Sequence, residues 1–334
     1  MDHSEVPIVP LQNRALTILA HAYFFLQYAL KNSFVYSLMK FGEVTEIDLS
    51  SVDFSLPADH PNTSAILGKQ TPGKPGVYVG CAKWGRKDWV GKVYPEGTKE
   101  ADFLKLYAQH FNTIELNATF YRAPSVAQTM GWASRVGSGF KFSPKFSEKI
   151  SHRKRLKDVK EMTDWFLKSI GGFKEALGPV FLMPHPAMGL KSLDTLEAFI
   201  ESLPDDLELF VELRHPQWYS EPEAFDKVFS MFERHNVGSI ITDASGRRDC
   251  VHMRLTTPVA FIRFVGNNLH PSDYTRVDAW VQRIKTWMDG GLQTLYFFMH
   301  QTEEIHSPTL CRYVIQQLNK NCGTDLHEPV FVGE

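Results

Sequence analysis

Cysteine is scarce and unpatterned in this 334-residue chain: Cys81, Cys250, Cys311 and Cys322 stand far apart, with no C-x-x-C pair. That spacing excludes a disulfide-stapled scaffold and a thiolate zinc site, and it suits a reducing cytoplasm. Neither a G-x-G-x-x-G turn nor a Walker loop follows the first β-rich segment, where CAKWGRKDW stands. A dinucleotide-binding open sheet therefore lacks its phosphate fingerprint. The metal-binding run H-E-x-x-H is missing too, and no comparable ligand spacing replaces it. Excess positive charge is absent: 36 Lys plus Arg face 38 Asp plus Glu, which disfavours sequence-independent nucleic-acid binding. No internal repeat or low-complexity tract occurs.

Long apolar runs are also missing. The nearest, ALTILAHAYFFLQYAL at residues 15–30, carries His21 and Gln27 and is too short to span a bilayer comfortably. Asp2 and Glu5 precede it with only Arg14 as a positive charge, so a secretory leader fits poorly. Residues 1–38 thus read as an extension, either a peripheral amphipathic helix or sequence upstream of a start at Met39. Residues 39–76 are polar and Pro-rich, the composition of an irregular arm outside the core.

From residue 77 onward a rhythm takes over. Eight times a short β-rich segment runs into an amphipathic one, which predicts a (β/α)₈ TIM-type barrel over 77–334 with its site at the strands' C-terminal ends. The strands fall at 78–84, 113–121, 139–146, 180–183, 208–213, 239–243, 260–265 and 295–300. SIITD, AFIRFV and TLYFFMH have the continuous apolar character of buried parallel strands. Helices follow at 98–110, from Pro124, and at 158–170, 192–203 (with Ser192 as cap), 221–235, 272–288 and 308–318. Residues 246–258 hold no convincing long helix.

Period-two alternation places Glu115, Asn117, Thr119 and Tyr121 on one face of the second strand. A carboxylate in so apolar a strand must be paired. Glu115 either binds Lys145 or an arginine as pure structure, or forms with Asn117 a polar floor beneath a ligand. Lys145 closes the third strand, where a desolvated amine can hold an anion, act as a base or form a Schiff base. His152 follows in a loop whose Arg153, Lys154 and Arg155 make the one dense basic run. On the fifth strand Glu212 and Arg214 share a face, as an ion pair or with the arginine free to grip a substrate anion. His215 and Trp218 lie in its exit loop. Asp243, Arg263 and His300 on the sixth to eighth strands, with His185 after the fourth, would ring the same mouth. Asn267 occupies the usual phosphate position after strand seven. Trp84, Tyr121 and Trp218 could stack on a sugar or base.

Six segments, YVGCAKW, FNTIELNATFYR, GFKFSPKFS followed by SH, LGPVFLMPHP, VELRHPQW and the W-V-G-K-V-Y-P stretch, together resemble the domain of unknown function 72 family, also called YecE-like. The resemblance implies a TIM-type barrel of undefined activity. It implies a pocket built from Trp84, Glu115, Asn117, Tyr121, Lys145, His152, Glu212, Arg214, His215, Asp243 and Arg263. This chain has LMPHP and MHQTEE where the family more often has a Gln before the proline and an Asn-Asn pair, so His185 and His300 are its own departures. The expectation is an acid–base enzyme acting on a small polar, sugar-like or phosphorylated substrate. Glu212, Lys145, His215, Asp243 and His300 would be its reacting groups, and Trp84, Glu115, Asn117, Tyr121, His152, His185, Arg214, Trp218, Arg263 and Asn267 would hold substrate. A nucleic-acid binder and a non-catalytic ligand-binding barrel are the competing readings. No cofactor is named by the sequence, and no metal site is assigned.

Overall fold

The computed structural model describes residues 46–70 and 73–334. The extension 1–38 and the start of the arm lie outside the described residues. Eight strands are present among those described: β1 (Gly76–Cys81), β2 (Thr113–Leu116), β3 (Lys141–Pro144), β4 (Val180–Leu182), β5 (Leu209–Val211), β6 (Gly238–Asp243), β7 (Val259–Gly266) and β8 (Thr294–Gln301). Every pairing is parallel. A six-stranded sheet runs in the order β1-β8-β7-β6-β5-β4, and β2 pairs with β3 separately.

Two seams separate the sheets, and side chains occupy them. Between β1 and β2, Asn112 accepts from the Val79 amide at 2.8 Å and donates to the Val77 carbonyl at 2.8 Å. The Tyr107 hydroxyl accepts from the Cys81 amide at 2.7 Å and donates to the Thr113 carbonyl at 2.8 Å. Gly80 permits this approach, because a Cβ there would collide with the Thr113 carbonyl. Between β3 and β4 the link is a parallel bridge of Lys145 with Phe181, in which the Phe146 amide donates to the Phe181 carbonyl at 2.9 Å, together with a bridge of Phe142 to Leu177 just ahead of β4.

Alternation along the strands sorts side chains into two populations. Phe181, Phe210, Ile240, Phe261, Tyr296 and Phe298 form an inner cluster. Their neighbours, among them Leu182, Val211, Ile241, Ile262 and Phe297, join the larger core shared with the helices. Burying each such side chain stabilises the fold by about 1.5–3 kcal/mol. One step beyond the inner cluster toward the strands' C-terminal ends stand Glu212, Thr242, Arg263 and His300, so the sheet's pleat brings these polar groups together.

The expected strands and helices occur with shifted ends. β2 stops at Leu116 rather than Tyr121, because Asn117 opens a helical turn over Ala118–Tyr121. Ser192 precedes the Leu193–Glu201 helix without a side-chain cap bond, whereas Ser125 makes a full capping box with Gln128. The only helical segment between Gly246 and Pro258 is the short turn Arg248–Cys250. The arm is more ordered than its composition suggests. It contains the helix Pro61–Leu67, buries Leu67 in the core, and ties Thr63 to the Met253 carbonyl at 2.8 Å. Asp59 meets Arg283 and accepts from Trp287 Nε1 at 3.0 Å.

Candidate active site

Arg263 on β7 is the hub. Its Nε and Nη2 donate to the two oxygens of Glu115 on β2 at 2.7 and 2.9 Å, and its Nη1 donates to both oxygens of Glu212, just past β5, at 2.8 and 2.9 Å. Glu115 also accepts from Asn117 Nδ2 at 2.7 Å. Glu212 also accepts from the Thr242 hydroxyl at 2.6 Å and pairs with Arg214 at 2.7 Å. His300 Nε2 lies 3.0 Å from Glu115 Oε2 and 3.2 Å from Arg263 Nη2. Those neighbours make opposite demands, since the carboxylate wants a proton on Nε2 and the guanidinium wants a lone pair.

Burial alone would raise both acids, yet the charges beside them reverse its effect. Arg214 and Arg263 hold Glu212 down at about 2, and Arg263 and His300 hold Glu115 well below the usual carboxylate range. Such carboxylates are weak bases. Glu212 meets two arginines, Arg214 and Arg263.

Among the described residues no such oxygen partners the Lys145 amine. Its Nζ sits 3.6 Å from Met183 Sδ, 4.4 Å from the centre of the Phe120 ring and 5.7 Å from that of Phe181. Burial, then the positive charge of Arg263, bring this amine down to about 7 against the pull of Glu212 and Glu115. Near neutral pH it is divided between ammonium and free amine. All five charged groups are buried: Glu115 is 0% and Glu212 1% exposed, and Lys145, Arg263 and Arg214 are 6, 7 and 8% exposed.

His152 stands beside Lys145 on a π-helical turn, Lys149–Arg153, a distortion common at functional positions. Its ring lies 5.0 Å from Phe120 and 5.3 Å from His185. Ser151 Oγ donates to the Ser147 carbonyl at 2.9 Å and so accepts from His152 Nδ1 at 2.9 Å, which leaves Nε2 bare among the described residues. Burial, then His185 and Lys145, lower His152 to about 4 and keep it neutral. His185 Nδ1 accepts from the Ala187 amide at 3.0 Å, so the neutral ring carries its proton on Nε2. The loop beyond holds Arg155 and Leu156 at φ 48° and 66°, a costly conformation fixed in part by burying Leu156.

Other expected residues lie elsewhere. Asp243 occupies the opposite face of β6 from Thr242. It meets Arg248, Arg276 at 2.7 Å and Trp280 Nε1 at 2.7 Å, in the layer against the Pro271–Asp289 helix. Trp84 packs edge-on against Trp132 and Phe142 in the helix-side core. Trp218 is buried, its Nε1 donating to the Met188 carbonyl at 2.8 Å. His215 is held in its exit loop, where Nδ1 accepts from the Gln217 amide at 3.1 Å. Tyr121 is exposed beside a groove of about 590 Å³ that Met162 and Trp165 also line, and no member of the Arg263 network lines it. Asn267 is occupied, since its amide donates to the Asp273 carboxylate at 2.8 Å and its Oδ1 accepts from Ser245 at 2.8 Å. Sequence reasoning missed Thr242, Phe120, Met183 and Asp273. Alternation on β6, with Ile240 inside, would have selected Thr242 over Asp243.

Among the described residues, the one set of three potential metal ligands drawn within 4.8 Å of one another is Glu197, Glu201 and His235, where Arg234 already engages Glu197. It shares no residue with the mouth.

The family described as "Protein of unknown function DUF72" matches residues 78–330. The chain belongs to this family. Relatives in it include UPF0759 protein YecE from Escherichia coli O157:H7 and from strain K12, each 26% identical over 262 residues, covering 73% of this chain and 93% of YecE. UPF0759 protein YunF of Bacillus subtilis (strain 168) is 24% identical over 153 residues, 44% of this chain and 53% of YunF. Crystal structures of a DUF72 family protein from Enterococcus faecalis V583 align with TM-scores of 0.57 and 0.58 at 16% identity, covering 75 and 76% of this chain and 99 and 98% of theirs. The α/β fold with its curled parallel sheet is thus a property this DUF72 member shares with solved structures. Among the described residues no helix is long and apolar enough to cross a membrane.

Proposed function

We propose that this DUF72 protein is a (β/α)₈-barrel enzyme that seats a small anionic, sugar-like or phosphorylated substrate against Lys145, Arg214 and Arg263 and moves a proton with the Lys145 amine. The two seams, mended by Asn112, Tyr107 and the Lys145–Phe181 bridge, support closure of both sheets into one barrel. The observation that carries the functional reading is the buried charge cluster in which Arg263 and Arg214 face carboxylates while the Lys145 amine lies against Met183 and the Phe120 ring. An incoming anion meets positive charge already held in place by Glu115 and Glu212, and an amine near 7 can give or take a proton at neutral pH.

Glu115 and Glu212 position Arg263 and Arg214. His152, bare at Nε2, is the second proton carrier, and His300 joins Glu115 to Arg263. The four free cysteines suit a reducing compartment, and we place the activity in the cytoplasm.

Calorimetric titration with inorganic phosphate and with glucose 6-phosphate tests the reading. Saturable binding that Lys145→Met weakens at least about tenfold, a loss of about 1.4 kcal/mol, supports it. Equal binding by both proteins contradicts it. Steeply salt-dependent binding of oligonucleotides would instead favour a role in which Arg153–Arg155 track phosphates.

A further inference from the structure

We propose that Lys145 is a covalent nucleophile whose substrate class is an aldehyde or ketone bearing a carboxylate or phosphate, captured as a Schiff base. This deepens, and rests on, the Lys145-centred reading above.

Three features of the geometry converge. First, the amine meets a thioether and two aromatic faces, where a free amine is tolerated, and among the described residues no carboxylate pairs with it. Second, Arg263 and Arg214 lie near enough for their charge to act on the amine, so a substrate anion drawn to them brings its carbonyl toward Nζ. Third, the acids that could quench the amine are saturated by arginines, Asn117 and Thr242. Compact desolvated lysines use such surroundings for imine chemistry.

The step balances without an oxidant or reductant. The Nζ lone pair forms a bond to the carbonyl carbon as the C–O π bond opens. The ammonium proton then passes to the new alkoxide, relayed by the bare Nε2 of His152, giving a carbinolamine. One proton from solvent and departure of the hydroxyl as water leave the iminium, and hydrolysis reverses the sequence.

The test incubates the full protein at neutral pH with pyruvate, with glyceraldehyde 3-phosphate, or with uncharged acetaldehyde. Each is trapped with cyanoborohydride and mapped by peptide mass spectrometry. The expected result is an anionic-carbonyl adduct on Lys145 at least about tenfold above that on exposed Lys154 or Lys157, because near pH 7 an ordinary lysine is almost wholly protonated. It should vanish in Lys145→Arg, whose fold is checked by circular dichroism. Adducts confined to exposed lysines overturn the proposal. Labelling of Lys145 by acetaldehyde but not by the anionic probes overturns the substrate class.

Competitive acylation against pH in the same preparation separates the two readings. An unlabelled Lys145 that still titrates near 7 sinks the covalent step and spares proton transfer. Titration near 10.5 removes both.

Discussion

Asp273 accepts the backbone amide of Asn267 through both carboxylate oxygens, at 2.8 and 3.0 Å. The Asn268 amide next along donates to Gln301 Oε1 at 2.6 Å. In a parallel α/β protein this loop after β7 is where backbone donors commonly meet a phosphate, and here the chain supplies its own anion. Asp273→Ala should therefore lower the melting temperature, since it strips acceptors from buried donors and a partner from Arg276. Inorganic phosphate should restore part of the loss. A variant as stable as the parent, or one indifferent to phosphate, would contradict that role.

Lys145 gives a stability prediction with a definite sign. Its folded value, about 7, lies below the 10.5 of an exposed lysine, so between those limits the unfolded chain binds more protons and stability rises with pH. Below 7 the full penalty of burying the ammonium remains. Lys145→Met should stabilise the protein by several kcal/mol at pH 6 and progressively less toward pH 10. Denaturant midpoints measured across that range check it, and a pH-independent difference counts against it.

The buried acids predict the reverse slope. Glu212 folds with a value of about 2, so it contributes stability above the ordinary carboxylate range that is lost as pH falls through 2, and Glu115 acts in the same sense. Arg263→Met should cost about 3–5 kcal/mol at pH 7 by taking from Glu115 and Glu212 the guanidinium that both share. It should also flatten the acid limb of the stability profile. Urea titrations at pH 7 and pH 3 would show both effects.

At the seam between β1 and β2, Asn112→Leu leaves the Val79 amide and the Val77 carbonyl without partners, at a cost of about 2–4 kcal/mol. Hydrogen exchange at Val79 should accelerate in the variant. Unchanged protection would mean that the seam is held by Tyr107 alone.

The architecture was legible because strands buried on both faces advertise themselves as apolar β-branched runs, as IITD and FIRFV do. Charges inside such runs, Glu115 and Arg263, had to find each other. The ends were less legible. A strand's last residue faces either layer, and Asp243 was assigned by its terminal position although the alternation with Ile240 and Thr242 turned it toward Arg276. The aromatics misled for a related reason: an indole near a loop serves packing as readily as stacking, and Trp84 and Trp218 pack. Nor could spacing reveal that Asp273, carried on the next helix, fills the Asn267 loop. The arm's helix was hidden by Pro61, which opens it.

The most direct measurement is the titration of the Lys145 side-chain nitrogen by ¹⁵N NMR, assigned by its loss in Lys145→Met. A single lysine amine titrating near 7, shifted when inorganic phosphate is added, is the predicted result. A Lys145 signal that titrates with the bulk of the lysines, indifferent to phosphate, would contradict the account.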